Sequence, residues 1–135
     1  MITPNKVKNI DKKELQRQIY EFLTNEGNNS KLANIMSNTK GYCDKGRFEV
    51  KLMSLDNLIR IAGPEKDMQY FEEKEIWDKK ISQMASSLEN GWKPPCLIVW
   101  DTNKGLTIAD GSHRIEALKK LGIKQYECII WYKES

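Results

Sequence analysis

Five residues, Asp110-Gly111-Ser112-His113-Arg114, separate a strand-like run, Leu106-Thr107-Ile108-Ala109, from a helical stripe at Ile115, Leu118 and Leu121. A chain that passes from strand to helix in so short a space must turn sharply. Gly111 supplies the backbone freedom for that turn and for close approach of a ligand. Ser112 suits a helix N-cap, and its hydroxyl is equally suited to bond a phosphate. The free N–H groups of a first helical turn point outward and the peptide dipoles add positive potential, so the turn reads as an anion site. His113 and Arg114 stand where a cation costs a helix about 0.3–1 kcal/mol, a cost that a bound anion reverses. Arg114 offers a planar fork to phosphate oxygens, and His113 can donate to a phosphate or move a proton. The plainer reading of the same residues is a turn, a cap and two solvated cations.

The flanking pattern sets the fold class. Asp11 is placed to cap a helix, Glu14 to complete a capping box, and Ile10 and Leu15 to form a hydrophobic staple. Leu15, Ile19, Phe22 and Leu23 follow helical spacing, and Ser30 is placed to cap a shorter helix carrying Leu32, Ile35 and Met36. Residues 1–40 therefore read as a helical arm. After a loop over 41–46, Phe48, Val50 and Leu52 alternate with polar neighbours as a half-buried strand does. A short helix starts at Ser54 and ends by Ala62-Gly63-Pro64, and the charged stretch 65–75 reads as a loop. Trp77, Ile81, Met84, Ala85 and Leu88 mark an amphipathic helix closed by Gly91. Cys96-Leu97-Ile98-Val99-Trp100 is a continuous apolar run, as in a strand buried on both faces, and it forms a hairpin with 106–109. Tyr126 to Tyr132 is a last strand. The expectation is an α+β domain over 41–135, a small mixed sheet with packed helices, preceded by the arm.

Charge and cysteine content narrow the classes. The excess of 22 Lys+Arg over 19 Asp+Glu is only +3, so DNA is a possible partner that the charge does not indicate. No apolar run approaches the roughly 20 residues of a membrane span, and the polar start lacks a signal-peptide stretch. Cys43, Cys96 and Cys128 are widely spaced, with no Cys-x-x-Cys pair and His113 the only histidine, so no structural zinc site is expected. Reduced thiols and a cytoplasmic location are the default. Trp92, Trp100 and Tyr42 are candidates to stack on a base, though packing is the plainer role. Lys119 and Lys120 suit a helix C-terminus.

Residues 47–132 resemble the ParB/sulfiredoxin domain. The resemblance rests on Val50-Lys51-Leu52, Leu88-Glu89-Asn90-Gly91-Trp92, Pro94-Pro95-Cys96-Leu97-Ile98-Val99, the box Ala109-Asp110-Gly111-Ser112-His113-Arg114 and the helix end Lys119-Lys120-Leu121-Gly122. It implies that the box holds nucleotide phosphates. Sulfiredoxins place a catalytic Cys where this chain has Ser112, so their chemistry is not expected. Partition-type ParB proteins bind and hydrolyse CTP and carry a downstream DNA-binding domain, which is not expected in a chain ending at Ser135. Free serine kinases resemble the box most closely. That resemblance implies Asp110 for magnesium or substrate, His113 and Arg114 on phosphate, and a loop Glu as general base, Glu65 first and Glu72 second. The expected ligands are ATP, ADP or CTP with Mg2+, and the expected activity is that of a small-molecule kinase or nucleotide hydrolase acting on a small hydroxyl-bearing acceptor or water. Catalytic roles fall to Glu65, Asp110 and His113, with Gly111, Ser112, His113 and Arg114 on the nucleotide and Asp110 on the metal. The rival is a non-enzymatic, nucleotide-gated or DNA-associated regulatory module of a plasmid or phage system. A carboxylate reaching the terminal phosphate distinguishes the two.

Overall fold

The computed structural model describes residues 2–25, 27, 29–38 and 47–132. The loop expected over 41–46, with Tyr42 and Cys43, and the side chain of Ile35 lie outside the described residues. The elements run α1 (Pro4–Val7), α2 (Lys12–Thr24), α3 (Ser30–Asn38), β1 (Arg47–Ser54), a 3-10 turn at Leu55–Asn57, β2 (Ala62–Gly63), β3 (Tyr70–Phe71), α4 (Lys74–Glu89), β4 (Leu97–Thr102), β5 (Gly105–Asp110), α5 (Ser112–Lys120) and β6 (Gln125–Tyr132).

The helix starts follow side-chain chemistry. The Asp11 carboxylate accepts from the Glu14 N–H at 2.8 Å and caps α2. The capping box is only half made, because the Glu14 carboxylate bonds Arg17 and Gln18 instead; a guanidinium outcompetes a backbone N–H for a carboxylate. Ser30 is the first residue of α3 rather than its cap. Asn29 takes that role, its Oδ1 accepting from the Leu32 N–H at 3.3 Å.

The main sheet is mixed, with strand order β1-β6-β4-β5. β6 pairs antiparallel with β1 and parallel with β4, and β4 pairs antiparallel with β5. Alternation divides the central strands between two cores. Cys96, Ile98, Ile129 and Trp131 pack with Ile19, Phe22, Leu23 and Met36 of the N-terminal helices. Leu97, Val99, Cys128 and Ile130 pack with Leu55, Leu58 and the α5 residues Ile115 and Leu118. A strand covered on both faces needs apolar residues at every position, which accounts for the unbroken run at 96–99. Trp77, Ile81 and Ala85 of α4 meet Ala117 of α5 in a third cluster.

Two irregularities position the site. The β4–β5 register steps from Val99 opposite Ile108 to Ile98 opposite Asp110, leaving Ala109 as the extra residue of a bulge. Paired residues share a face, so the bulge moves Asp110 from the α5 side, where Ile108 lies, to the side covered by α2 and α3. The second is the short parallel pair of β2 and β3; β2 falls where the short helix was expected to end, and β3 lies inside the charged stretch 65–75 that reads as a loop. The Tyr70 N–H donates to the Ile61 carbonyl at 2.9 Å and the Glu72 N–H to the Gly63 carbonyl at 3.0 Å. Those bonds hold Glu72 in place. Among the described residues no helix is long and apolar enough to cross a membrane.

Cys96 and Cys128 are both 0% exposed. Burial pushes each thiol up to about 12, so neither offers a thiolate at neutral pH. Iodoacetamide at pH 8 should leave both unmodified in the native chain and alkylate both in urea, read by peptide mass spectrometry. Native-state labelling of either would show that the central strands open.

Candidate functional site

Gly111 has φ +122°, and a Cβ there would lie 2.7 Å from Leu97 Cδ2 and 3.0 Å from Arg114 Nη2. Both the backbone conformation and the crowding demand glycine. Gly111 is also the N-cap of α5, and among the described residues no side chain caps the helix. Ser112, the expected cap, is instead the first helical residue and is largely buried. The first N–H groups of α5 are therefore left without a side-chain acceptor, while the Gly111 carbonyl accepts from the Ile115 N–H at 2.9 Å.

Arg114 lies beneath this turn rather than on its outer surface. It is 6% exposed, and its Nη2 donates to Asp110 Oδ2 at 2.8 Å. Its guanidinium sits 5.5 Å from the centroid of the Phe22 ring. The other Asp110 oxygen, Oδ1, accepts from Asn29 Nδ2 at 3.0 Å. Asn29 thus caps α3 with one side-chain atom and fastens the box to the N-terminal arm with the other. A solvated cation that the fold could spare was the simple expectation for Arg114; the fold instead uses it as a buried partner of Asp110.

His113 is half-buried, with Nε2 3.0 Å from Glu72 Oε1. Its ring lies 4.6 Å from that of Trp77. The Arg60 guanidinium lies 5.0 Å from the Trp77 ring and is bound by Glu65 at 2.7 Å and Glu116 at 3.1 Å. Glu65, the first candidate for a base, is therefore paired with Arg60, which holds its carboxyl below the ordinary range. Glu72, the second candidate, is the acid that reaches the box. Burial pushes the Glu72 carboxyl up, but the hydrogen bond and charge of His113, with Lys80 at 3.4 Å, outweigh burial and lower it. Asn29, Arg60 and Trp77 escaped sequence reasoning. Only Asn29, a good capping residue at a helix start, carried a local signal.

Two cavities meet at the turn. The larger, about 880 Å³, includes Lys31, Tyr70, Trp100, Lys104, Ser112 and His113 among its lining residues. The smaller, about 240 Å³, is lined by Phe22, Gly27, Met84, Trp92, Pro95 and the charged Arg114. Asp110, Gly111 and His113 line both. Among the described residues no three His, Cys, Asp or Glu side chains gather as a metal site.

No family model matches the chain, and no curated protein matches it in sequence. Its structure is similar to that of a conserved hypothetical protein from Pyrococcus furiosus, with 22% identity over 61% of this chain and 32% of that one and a TM-score of 0.44. It is similar to sulfiredoxin from Arabidopsis thaliana, with 20% identity over 61% of this chain and 83% of that one and a TM-score of 0.45. It is similar to a Pnob8-like ParB-N domain, with 18% identity over 67% of this chain and 31% of that one and a TM-score of 0.45. This chain thus spans about a third of the length of the first and third. The functional reading rests on the geometry of the turn.

Removing one partner of a buried ion pair strands the other charge, at about 3 kcal/mol or more. Arg114→Ala should therefore lower the stability of the chain by about 3 kcal/mol in urea unfolding. A loss below about 0.5 kcal/mol, the level of an ordinary surface substitution, would return Arg114 to solvent.

Proposed function

We propose that the chain binds the phosphates of a nucleotide, ATP, ADP or CTP with Mg2+, against the Gly111-Ser112-His113 turn, and that the Glu72–His113 pair supports phosphoryl transfer or hydrolysis there. The observation that carries this reading is the first turn of α5, uncapped by any described side chain and lining the larger cavity. Free N–H groups with the helix dipole behind them favour a phosphate, and Lys31 and Lys104 line the same space. Tyr70 and Trp100 give it aromatic walls suited to a base. Its volume falls within the roughly 300–1,000 Å³ of small-molecule sites.

The roles differ from those suggested by the sequence. Arg114 shapes the turn from below, the phosphate contacts fall to the backbone N–H groups and the Ser112 hydroxyl, and His113 is left to take a proton. Asp110 is a poor magnesium ligand as held, since Arg114 and Asn29 engage both its oxygens. Mg2+ then rides on the phosphates, as it does where few protein ligands are offered. Glu72 holds His113 through Nε2, which fixes the ring and supports its positive charge when it takes a proton.

The engagement of Asp110 also favours the rival reading, a binding module that senses a nucleotide without turning it over. Turnover separates the two. Calorimetric titration with ATP, ADP and CTP in magnesium should give binding, and Ser112→Ala should weaken it about ten-fold, the scale of one charge-assisted contact. Glu72→Gln should cut release of the shortened nucleotide or of phosphate about 100-fold or more with affinity nearly unchanged, while Glu65→Gln leaves both unaltered. No heat with any nucleotide at millimolar concentration overturns the site. Binding without turnover, with water or any offered alcohol, leaves the module.

A further inference from the structure

The smaller cavity shares the Asp110-Gly111-His113 wall with the larger one, yet its remaining lining is of another kind. Phe22 and Gly27 come from the N-terminal arm, Met84 from α4, and Trp92 and Pro95 from the segment leading into β4. Phe22 and Gly27 lie outside the 47–132 region, so the pocket is a property of this chain and its arm. We infer that it holds the acceptor of the phosphoryl group, a small uncharged hydroxyl compound with a flat apolar body, of the size of a phenol or benzyl alcohol. The inference rests on the phosphoryl-transfer reading of the neighbouring turn.

Three observations point to that class. At about 240 Å³ the space is below the range of drug-sized ligands and admits one small ring. Its walls are an indole, a phenyl ring, a thioether and a proline, which favour an aromatic or aliphatic body. Its charged floor is already balanced, since Asp110 and Arg114 neutralise each other at 2.8 Å. Among the described lining residues each charge is already paired, so a carboxylate or ammonium on the acceptor would lose water without a counter-charge to offset it, which selects against charged compounds. Gly27 is needed here: a Cβ would lie 2.8 Å from Phe22 Cε2 and displace the ring that forms one wall.

His113 borders both spaces, so an acceptor hydroxyl in the small pocket and a terminal phosphate in the large one meet at that residue. The acceptor oxygen bonds to the terminal phosphorus as the bond from that phosphorus to the bridging oxygen breaks. The nucleotide leaves one phosphate shorter. The hydroxyl proton passes to Nδ1 of His113, the ring nitrogen that Glu72 does not hold. The acceptor leaves as its phosphate monoester.

Benzyl alcohol is the probe. In 1H–15N spectra of the full chain it should shift the Trp92 indole N–H, assigned by its loss in Trp92→Phe, and the Gly111 amide. It should do so equally with ADP and Mg2+ bound, without displacing ADP. Trp92→Ala, at a residue 36% exposed, should weaken the probe at least ten-fold and leave ADP affinity unchanged. An unmoved Trp92 signal in a chain that binds ADP overturns the pocket, and displacement of ADP by the probe overturns the two-site arrangement. Failure to bind ADP with the Trp92 response intact removes the nucleotide reading and the acceptor role with it, and is read separately from the ADP titration alone.

Discussion

The ion pair between Arg114 and Asp110 closes the turn on which the site depends. It links the end of β5 to the first turn of α5, with Nη2 of the buried Arg114 2.8 Å from Asp110 Oδ2. Each neighbouring feature serves that closure. The bulge at Ala109 brings Asp110 round to the face where Asn29 waits. Gly111 leaves out the Cβ that would press on the guanidinium and on Leu97. Phe22 of α2 lies under the guanidinium. The arm is thereby tied to the box as well as to the sheet, and the backbone N–H groups proposed to receive phosphate are set on a firm base. A donor that need not reorganise holds an anion better than one that must be ordered on binding.

A second chain of contacts sets His113. Trp77 lies against its ring, Arg60 against Trp77, and Glu65 and Glu116 bind Arg60. Glu72 completes the arrangement by bonding Nε2. These residues come from the segment around β2 and β3, from α4 and from α5, so the packing of α4 on α5 carries the site as well as the core. Trp77 belongs to both. Substitutions that loosen that packing should therefore disturb the histidine before they unfold the chain.

Much of this was legible in the sequence because it is local. The stripe of α2, the Asp11 cap, the apolar β4 run and the strand–turn–helix passage at the box each lie within a few residues, where periodicity and capping chemistry speak directly. What was not legible depends on contacts across the chain. Glu65 and Glu72 share one charged segment, and only the pairing of Tyr70-Phe71 with Ala62-Gly63 decides which of them faces His113, 41 residues away. Arg114 reads as a phosphate-binding fork or, more plainly, a solvated cation, and neither reading shows the pairing made when the bulge turns Asp110 towards it. Ser112 is the better N-cap by residue preference, yet the positive φ at Gly111 places the cap one residue earlier. Asn29 and Asp110 are 81 residues apart, and nothing in either neighbourhood announces the other.

Everything proposed for the site requires the first N–H groups of α5 to receive phosphate. The most direct measurement is the change in backbone amide chemical shifts on adding ADP with Mg2+, repeated with inorganic phosphate alone. The account predicts that the Ser112 and His113 amides move most with ADP, and move in the same direction, by less, with phosphate. Shifts that gather elsewhere with ADP, or Ser112 and His113 amides that stay unmoved by both, would contradict it.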